Sequence, residues 1–167
     1  MSAEEKRSRQ VSAVRMHKLK LFFGWLIALA LIGALVIYSR ASIDPNNPVV
    51  SSGGVHYHAH LAINIDGVDV PVPKGIGLIA GMEHPHQMHT HEADQIIHIE
   101  MEGRVRAHDL SLGNFFNVWG QTFTKDNIMG HLAGNGKTIT MTVNGKPQND
   151  FDQYQLNDKD EVEITYK

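Results

Sequence analysis

Histidine is the residue type through which this chain is equipped to do chemistry. Nine of its eleven histidines lie between His56 and His108, and they fall into two groups. His56, His58 and His60 stand at alternate positions. His84, His86, His89 and His91 crowd one short segment, with His98 soon after. A neutral imidazole nitrogen binds Cu(II), Zn(II), Ni(II) and Fe(II). On a strand, an H-x-H pair puts two rings on one side about 6.6–7 Å apart along the backbone. From there the side chains can converge on an ion at ~2.0–2.1 Å. A third ligand must come from another strand or loop, and His89, His91 and His98 are the natural sources. Glu83, Glu92, Asp94 and Glu100 are near enough in sequence to serve as ligands or as acceptors for the distal ring N–H. The expected metal ligands are therefore His56, His58, His60, His84, His86, His89, His91 and His98, with Met88, Glu92 and Glu100 as auxiliaries.

The rest of the composition narrows the metal. The chain has no cysteine, which removes disulfides, thiolate sites and thiol nucleophiles together. Met82, Met88 and Met101 lie among the histidines, and their soft thioethers suit copper, above all Cu(I). Copper is thus the expected ion and zinc the second. The plainer readings are a polar strand face that happens to use histidine, a pH-sensing cluster titrating near ~6.5, and core filling by the methionines. His17, His108 and His131 stand alone and read as ordinary tail or surface residues.

The elements that must position these side chains can be read from the alternation. In His56-Tyr-His-Ala-His-Leu-Ala-Ile-Asn-Ile65, Tyr57, Ala59, Leu61, Ile63 and Ile65 point one way. His56, His58, His60, Ala62 and Asn64 point the other. Asp66-Gly67 predicts a two-residue hairpin returning along Val68–Val72, a strand that Pro71 and Pro73 push to an edge. Gly75–Gly81 reads as loop with a short strand, and 82–94 as a polar loop or strand entry. Gln95–Met101 alternates again, with Ile96, His98 and Glu100 opposite Ile97, Ile99 and Met101, before a turn at Glu102-Gly103. Leu112, Phe115, Phe116 and Trp119 have the spacing of one buried helical face. Asp109 or Ser111 can cap that helix and Gly120 can end it. Lys137–Val143, Asn144-Gly145 and Glu161–Tyr166 read as strand, turn and closing strand. The expected fold class is α+β, mostly β, with at least one packed helix.

Ahead of this domain, Leu21 to Tyr38 carries no charge. Eighteen helical residues span roughly 27 Å, close to the ~30 Å hydrocarbon core of a bilayer. Lys6, Arg7, Arg9, Arg15, Lys18 and Lys20 precede the run and only Arg40 closely follows it. Lysine and arginine stay on the cytoplasmic side, so a single-pass cell-membrane protein is expected, with residues 41–167 in the periplasm or on the cell surface. Trp25 and Tyr38 suit the interfaces. The competing reading, a cleaved signal peptide, would have a shorter apolar core and a small-residue cleavage site. The expected layout is a basic cytoplasmic tail at 1–20, a transmembrane helix at 21–39, a linker at 40–54 and the histidine-rich domain at 55–167. Residues 41–167 hold eight Lys/Arg against sixteen Asp/Glu, a balance of −8 that the overall −3 conceals. An acidic exterior suits cations and argues against nucleic acid.

Two resemblances add to this. VNGKP followed by QLNDKDEVEITY resembles the end of β-grasp, ubiquitin-like domains; the sequence ends Thr-Tyr-Lys, without the Gly-Gly of the sulfur carriers, so carrier function is not implied. HYHAHLAINIDG, HTHEADQIIHIE, LSLGNFFNVWG and VNGK together resemble a family of membrane-anchored, His-rich extracytoplasmic domains, which implies the anchored layout and no activity. The pair His89-Thr90-His91 departs from the cupin pattern, since no glutamate follows at the required spacing. The strand H-x-H of copper–zinc superoxide dismutases and α-carbonic anhydrases comes here without their other signatures. P-loop, dinucleotide and nucleophilic-triad patterns are absent. The expected function is a membrane-tethered metal-binding protein for acquisition, transfer or buffering. Its partners would be lipid, the ion and a metal-receiving or larger membrane protein. A His-ligated hydrolytic or redox enzyme and a metal-free assembly subunit are the alternatives.

Overall fold

Alternation along two segments and an aromatic helical stripe leave one economical arrangement: a sheet whose apolar face is covered by a helix and whose other face is free. The computed structural model describes residues 3–41, 44–78 and 86–167. It divides into two units, residues 1–46 and 47–167, and each is taken by itself.

The first unit is a helix, α1, from Ala3 to Ala41. It is longer than the expected membrane segment because the basic tail continues it. Its stretch Lys18–Tyr38 is long and apolar enough to cross a membrane, the requirement that both an anchor and a signal sequence meet. Large apolar side chains point outward all along it, among them Phe22, Trp25, Leu29, Leu31, Ile37 and Tyr38. Such a surface has no favourable environment in water.

The second unit is mostly β. Its strands are β1 (Val49–Ser51), β2 (Val55–Ile65), β3 (Val68–Val70), β4 (Met88–His89), β5 (Ile96–Met101), β6 (Val105–Arg106), β7 (Phe123–Thr124), β8 (Asn127–Ile128), β9 (His131–Leu132), β10 (Ile139–Val143), β11 (Lys146–Gln148) and β12 (Glu161–Tyr166). Helix α2 runs from Leu112 to Trp119. The main sheet runs β11-β10-β12-β2-β5-β4, with β3 also paired to β2. β2 is the organising strand. Its first half pairs antiparallel with β5, Val55 facing Met101 through His60 facing Ile96. Its last three residues pair with β3, and its other edge runs parallel to β12, from His60 beside Glu161 to Ile65 beside Tyr166. As the residues of 137–166 predict, the last third holds a strand, a hairpin and a closing strand.

Both predicted hairpins form. Asp66 and Gly67 have φ of 52° and 85°, and Asn144 and Gly145 have 51° and 73°; two positive values in succession make the turn that matches strand twist. β3 stops at Val70, ahead of Pro71. Ser111 caps α2 by accepting the Asn114 N–H at 3.2 Å, and Gly120 ends it in the left-handed region. Leu112, Phe115 and Phe116 share one core with Ala59, Leu61, Ile63, Ile97, Ile99 and Met101. The helix therefore covers the apolar face of the sheet, and the histidines of β2 and β5 lie on the other.

Three parts of the architecture differ from expectation. The linker is shorter than 40–54, because β1 pairs with β6, the Asn47 side chain accepts the His108 N–H at 2.9 Å, and the Pro48 carbonyl accepts the Ala107 N–H. Backbone and side-chain polar groups, in a stretch rich in turn residues, do the pairing. A small β7-β8-β9 sheet also forms, in a stretch with too little alternation to announce it. Among the described residues of 75–81, Gly75–Leu78 is turn and coil with no strand.

Candidate metal centre

Antiparallel register sets the site. His58 of β2 faces His98 of β5, and His98 faces His89 of β4. Residues directly opposed in an antiparallel pair share a face, so one histidine from each of three strands lines up across the sheet. The rings are in contact: His58 and His98 have centroids 4.8 Å apart, His89 and His98 are stacked at 5.6 Å, and His56 and His58 lie at 5.0 Å. His91 folds back from beyond β4 to meet His98 at 4.6 Å and His89 at 4.7 Å.

The tightest geometry is at His89, which is fully buried. Its Nδ1 lies 2.9 Å from the His86 carbonyl oxygen. A carbonyl only accepts, so Nδ1 carries the hydrogen and Nε2 of the neutral ring presents its lone pair. That Nε2 stands 3.1 Å from the Nε2 of His91. Two nitrogens on one ion at ~2.05 Å are ~2.9 Å apart at a right angle and ~3.3 Å apart at the tetrahedral angle. The observed spacing falls between these, and it equally fits an N–H···N hydrogen bond donated by His91. Ligand atoms of His89, His91 and Glu100 all lie within 4.8 Å of one another.

The histidine pair is held from behind. Thr90, between the two, is fully buried; its hydroxyl donates to the Pro73 carbonyl at 2.7 Å and accepts the Ile76 N–H at 3.0 Å. The Thr90 N–H and carbonyl are bound by Ile76 and Gly75. Four hydrogen bonds to one strap fix the backbone from which both rings project. Gly77 in this strap has φ of 73° and lies against the Met88 carbonyl, where a Cβ has no room.

Carboxylates edge the row. Glu100 Oε1 is 3.5 Å from His56 Nε2, Glu161 Oε2 is 3.2 Å from His60 Nδ1, and Asp158 Oδ1 is 4.0 Å from His58 Nδ1. Asp158 also accepts the His58 N–H at 3.0 Å. Burial, and then the charge of His91, His58 and His89, holds His98 below the usual imidazole range, with Glu100 acting the other way. His98 is thereby kept in the form whose nitrogen can donate a lone pair.

Of the residues expected from the sequence, His56, His58, His89, His91, His98 and Glu100 are thus brought together. His60 stands at the end of the row beside Glu161. His86 contributes its carbonyl, with its side chain exposed, and Glu92 is exposed in the turn after His91 without joining the group around His89. His84, with Met82 and Glu83, lies outside the described residues. The expectation for Met88 is corrected: it faces Ile99 and is buried in the core, on the opposite face from His89, because adjacent strand residues alternate. Met101 is likewise a core residue. Asp158 and Glu161 were not singled out from the sequence. Their place beside β2 depends on the parallel pairing of β12, which no local pattern announces. Searched against protein-family models, curated proteins and solved structures, the chain matches none.

Proposed function

We propose that this is a membrane-tethered metal-binding protein whose ion sits between His89, His91 and Glu100, with His98 beside it. The observation that carries the reading is the 3.1 Å separation of two imidazole nitrogens, one of them oriented by a backbone carbonyl, with a carboxylate in reach. Two nitrogens and an oxygen suit a late divalent ion, and in the Irving–Williams order Cu(II) stands ahead of Zn(II). With Met88 and Met101 in the core, the preference for copper rests on that order and no longer on thioethers. Three ligands, two of them exposed, leave a position for water or for a donor from another protein, which favours acquisition, transfer or buffering over permanent storage. Helix α1 is read as an uncleaved anchor. The lysines and arginines ahead of Leu21 keep the N-terminus in the cytoplasm and put the domain in the periplasm or on the cell surface. An acidic domain, at −8, draws cations to that face.

Competition with a chromogenic chelator tests this on the full chain in detergent, prepared without a histidine tag. Wild type should hold Cu(II) or Zn(II) against the chelator. His91→Ala and Glu100→Gln should each weaken binding by at least about tenfold, the low end of what even an outer-shell loss costs. Equal affinities in all three proteins would remove the site.

A further inference from the structure

The metal reading uses only one end of the imidazole row, and the rest of the row has a geometry of its own. From His91 the rings continue to His98 at 4.6 Å, to His58 at 4.8 Å and to His56 at 5.0 Å. A ring centre lies ~1.1 Å behind its ligating nitrogen, so two imidazoles sharing one ion at ~2.05 Å have centres no more than ~6.3 Å apart. Every consecutive pair in the row is inside that limit. The ring separations are thus compatible with an ion shared between neighbouring rings at each step.

Only the His89 end of the row is enclosed; His91 and Glu100 beside it are exposed. His89 is fully buried, whereas the side chains of His58 and His56 are 46% and 65% exposed. Glu100 belongs to both ends: it completes the group with His89 and His91 and also lies 3.5 Å from His56. Asp158 stands beside His58.

Resting on the metal reading above, we infer that the row is a two-station path. The inner station is His89, His91 and Glu100; the outer is His56 and His58, with Glu100 and Asp158 at its side; His98 is the hand-over residue between them. The ion keeps its charge throughout, and each step exchanges one neutral imidazole for the next. The outer station is where an ion enters, or leaves to a receiving protein that offers its own ligands.

Stopped-flow removal of Cu(II) from the full chain in detergent by excess strong chelator, together with the equivalents retained against a weak one, tests the path. Wild type should retain two equivalents. A His56→Gln/His58→Gln double variant, altered only at exposed side chains, should retain one, and release it at least about tenfold more slowly, an effect on the scale of losing a metal-site partner. His98→Gln should retain both and also slow release of the inner ion. Unchanged release in both variants overturns the path while leaving a single site. Faster release from His98→Gln overturns it too, by making His98 a ligand of the inner ion. No binding by wild type removes the metal reading and the path together.

Discussion

The two faces of one sheet are built from the same strands by the same alternation, and they differ in the residues they carry. On the inner face Ala59, Leu61, Ile97, Ile99 and Met88 are at most 1% exposed, and burial of apolar area explains their choice outright. On the outer face the corresponding positions of β2, β5 and β4 hold His56, His58, His98, Glu100 and His89. Burial of apolar area does not explain these, of which only His89 is fully buried: imidazoles crowded ring against ring lose hydration and repel one another when protonated, the two causes that lower His98. The inner row is what folding requires, and the outer row is carried at some cost to folding. That difference is the reason to look for function on the outer face.

Leu61→Ala, on the inner face, should break the fold side of the comparison. It should cost about 2–5 kcal/mol, the range for truncating a buried leucine, read from urea unfolding. Thr90→Val tests the link between the faces. Loss of the hydroxyl leaves the Ile76 N–H and the Pro73 carbonyl without their partner, at about 1–3 kcal/mol. Metal affinity should fall with it, because His89 and His91 project from the same backbone. A variant that loses stability but keeps full affinity would contradict the positioning role.

Acid should act through the outer face. The folded domain holds His98 below its unfolded value of about 6.5. As pH falls through that value the unfolded chain takes up a proton that the folded one refuses. Metal-free stability should therefore decline from about pH 6.5 downward and level off below the folded value. His98→Gln should flatten this part of the stability–pH curve; an unaltered slope would place the acid sensitivity elsewhere. The smallest effect is expected at the exposed edge, where His56→Gln should change metal-free stability by no more than ~0.5 kcal/mol. A larger loss would mean that the outer row supports the fold after all.

Much of this was legible in the residues. The alternation at His56–Ile65 and Gln95–Met101, the Asp-Gly and Asn-Gly turns, and the Leu112–Trp119 stripe are local signals, and each became the expected element. What escaped was non-local. The strand at Val49–Ser51 exists because β6 receives it, and Glu161 reaches His60 because β12 runs parallel to β2; neither pairing has a signature within its own segment. Met88 misled for a different reason. Closeness in sequence to His86 and His89 suggested a shared site, but one step along a strand reverses the face. The histidine set was readable as a set, and only the register could show that His58, His98 and His89 fall in one line.

The most direct test is metal content. The full chain, purified in detergent without a histidine tag, is loaded with Cu(II) or Zn(II), dialysed, and measured by elemental mass spectrometry beside His89→Ala and His131→Ala. The account predicts at least about one ion per chain, as a three-ligand site requires, retained in full in His131→Ala and lower by about one ion per chain in His89→Ala. A wild-type chain that comes through dialysis without metal, or a His89→Ala chain that keeps as much as wild type, would contradict it.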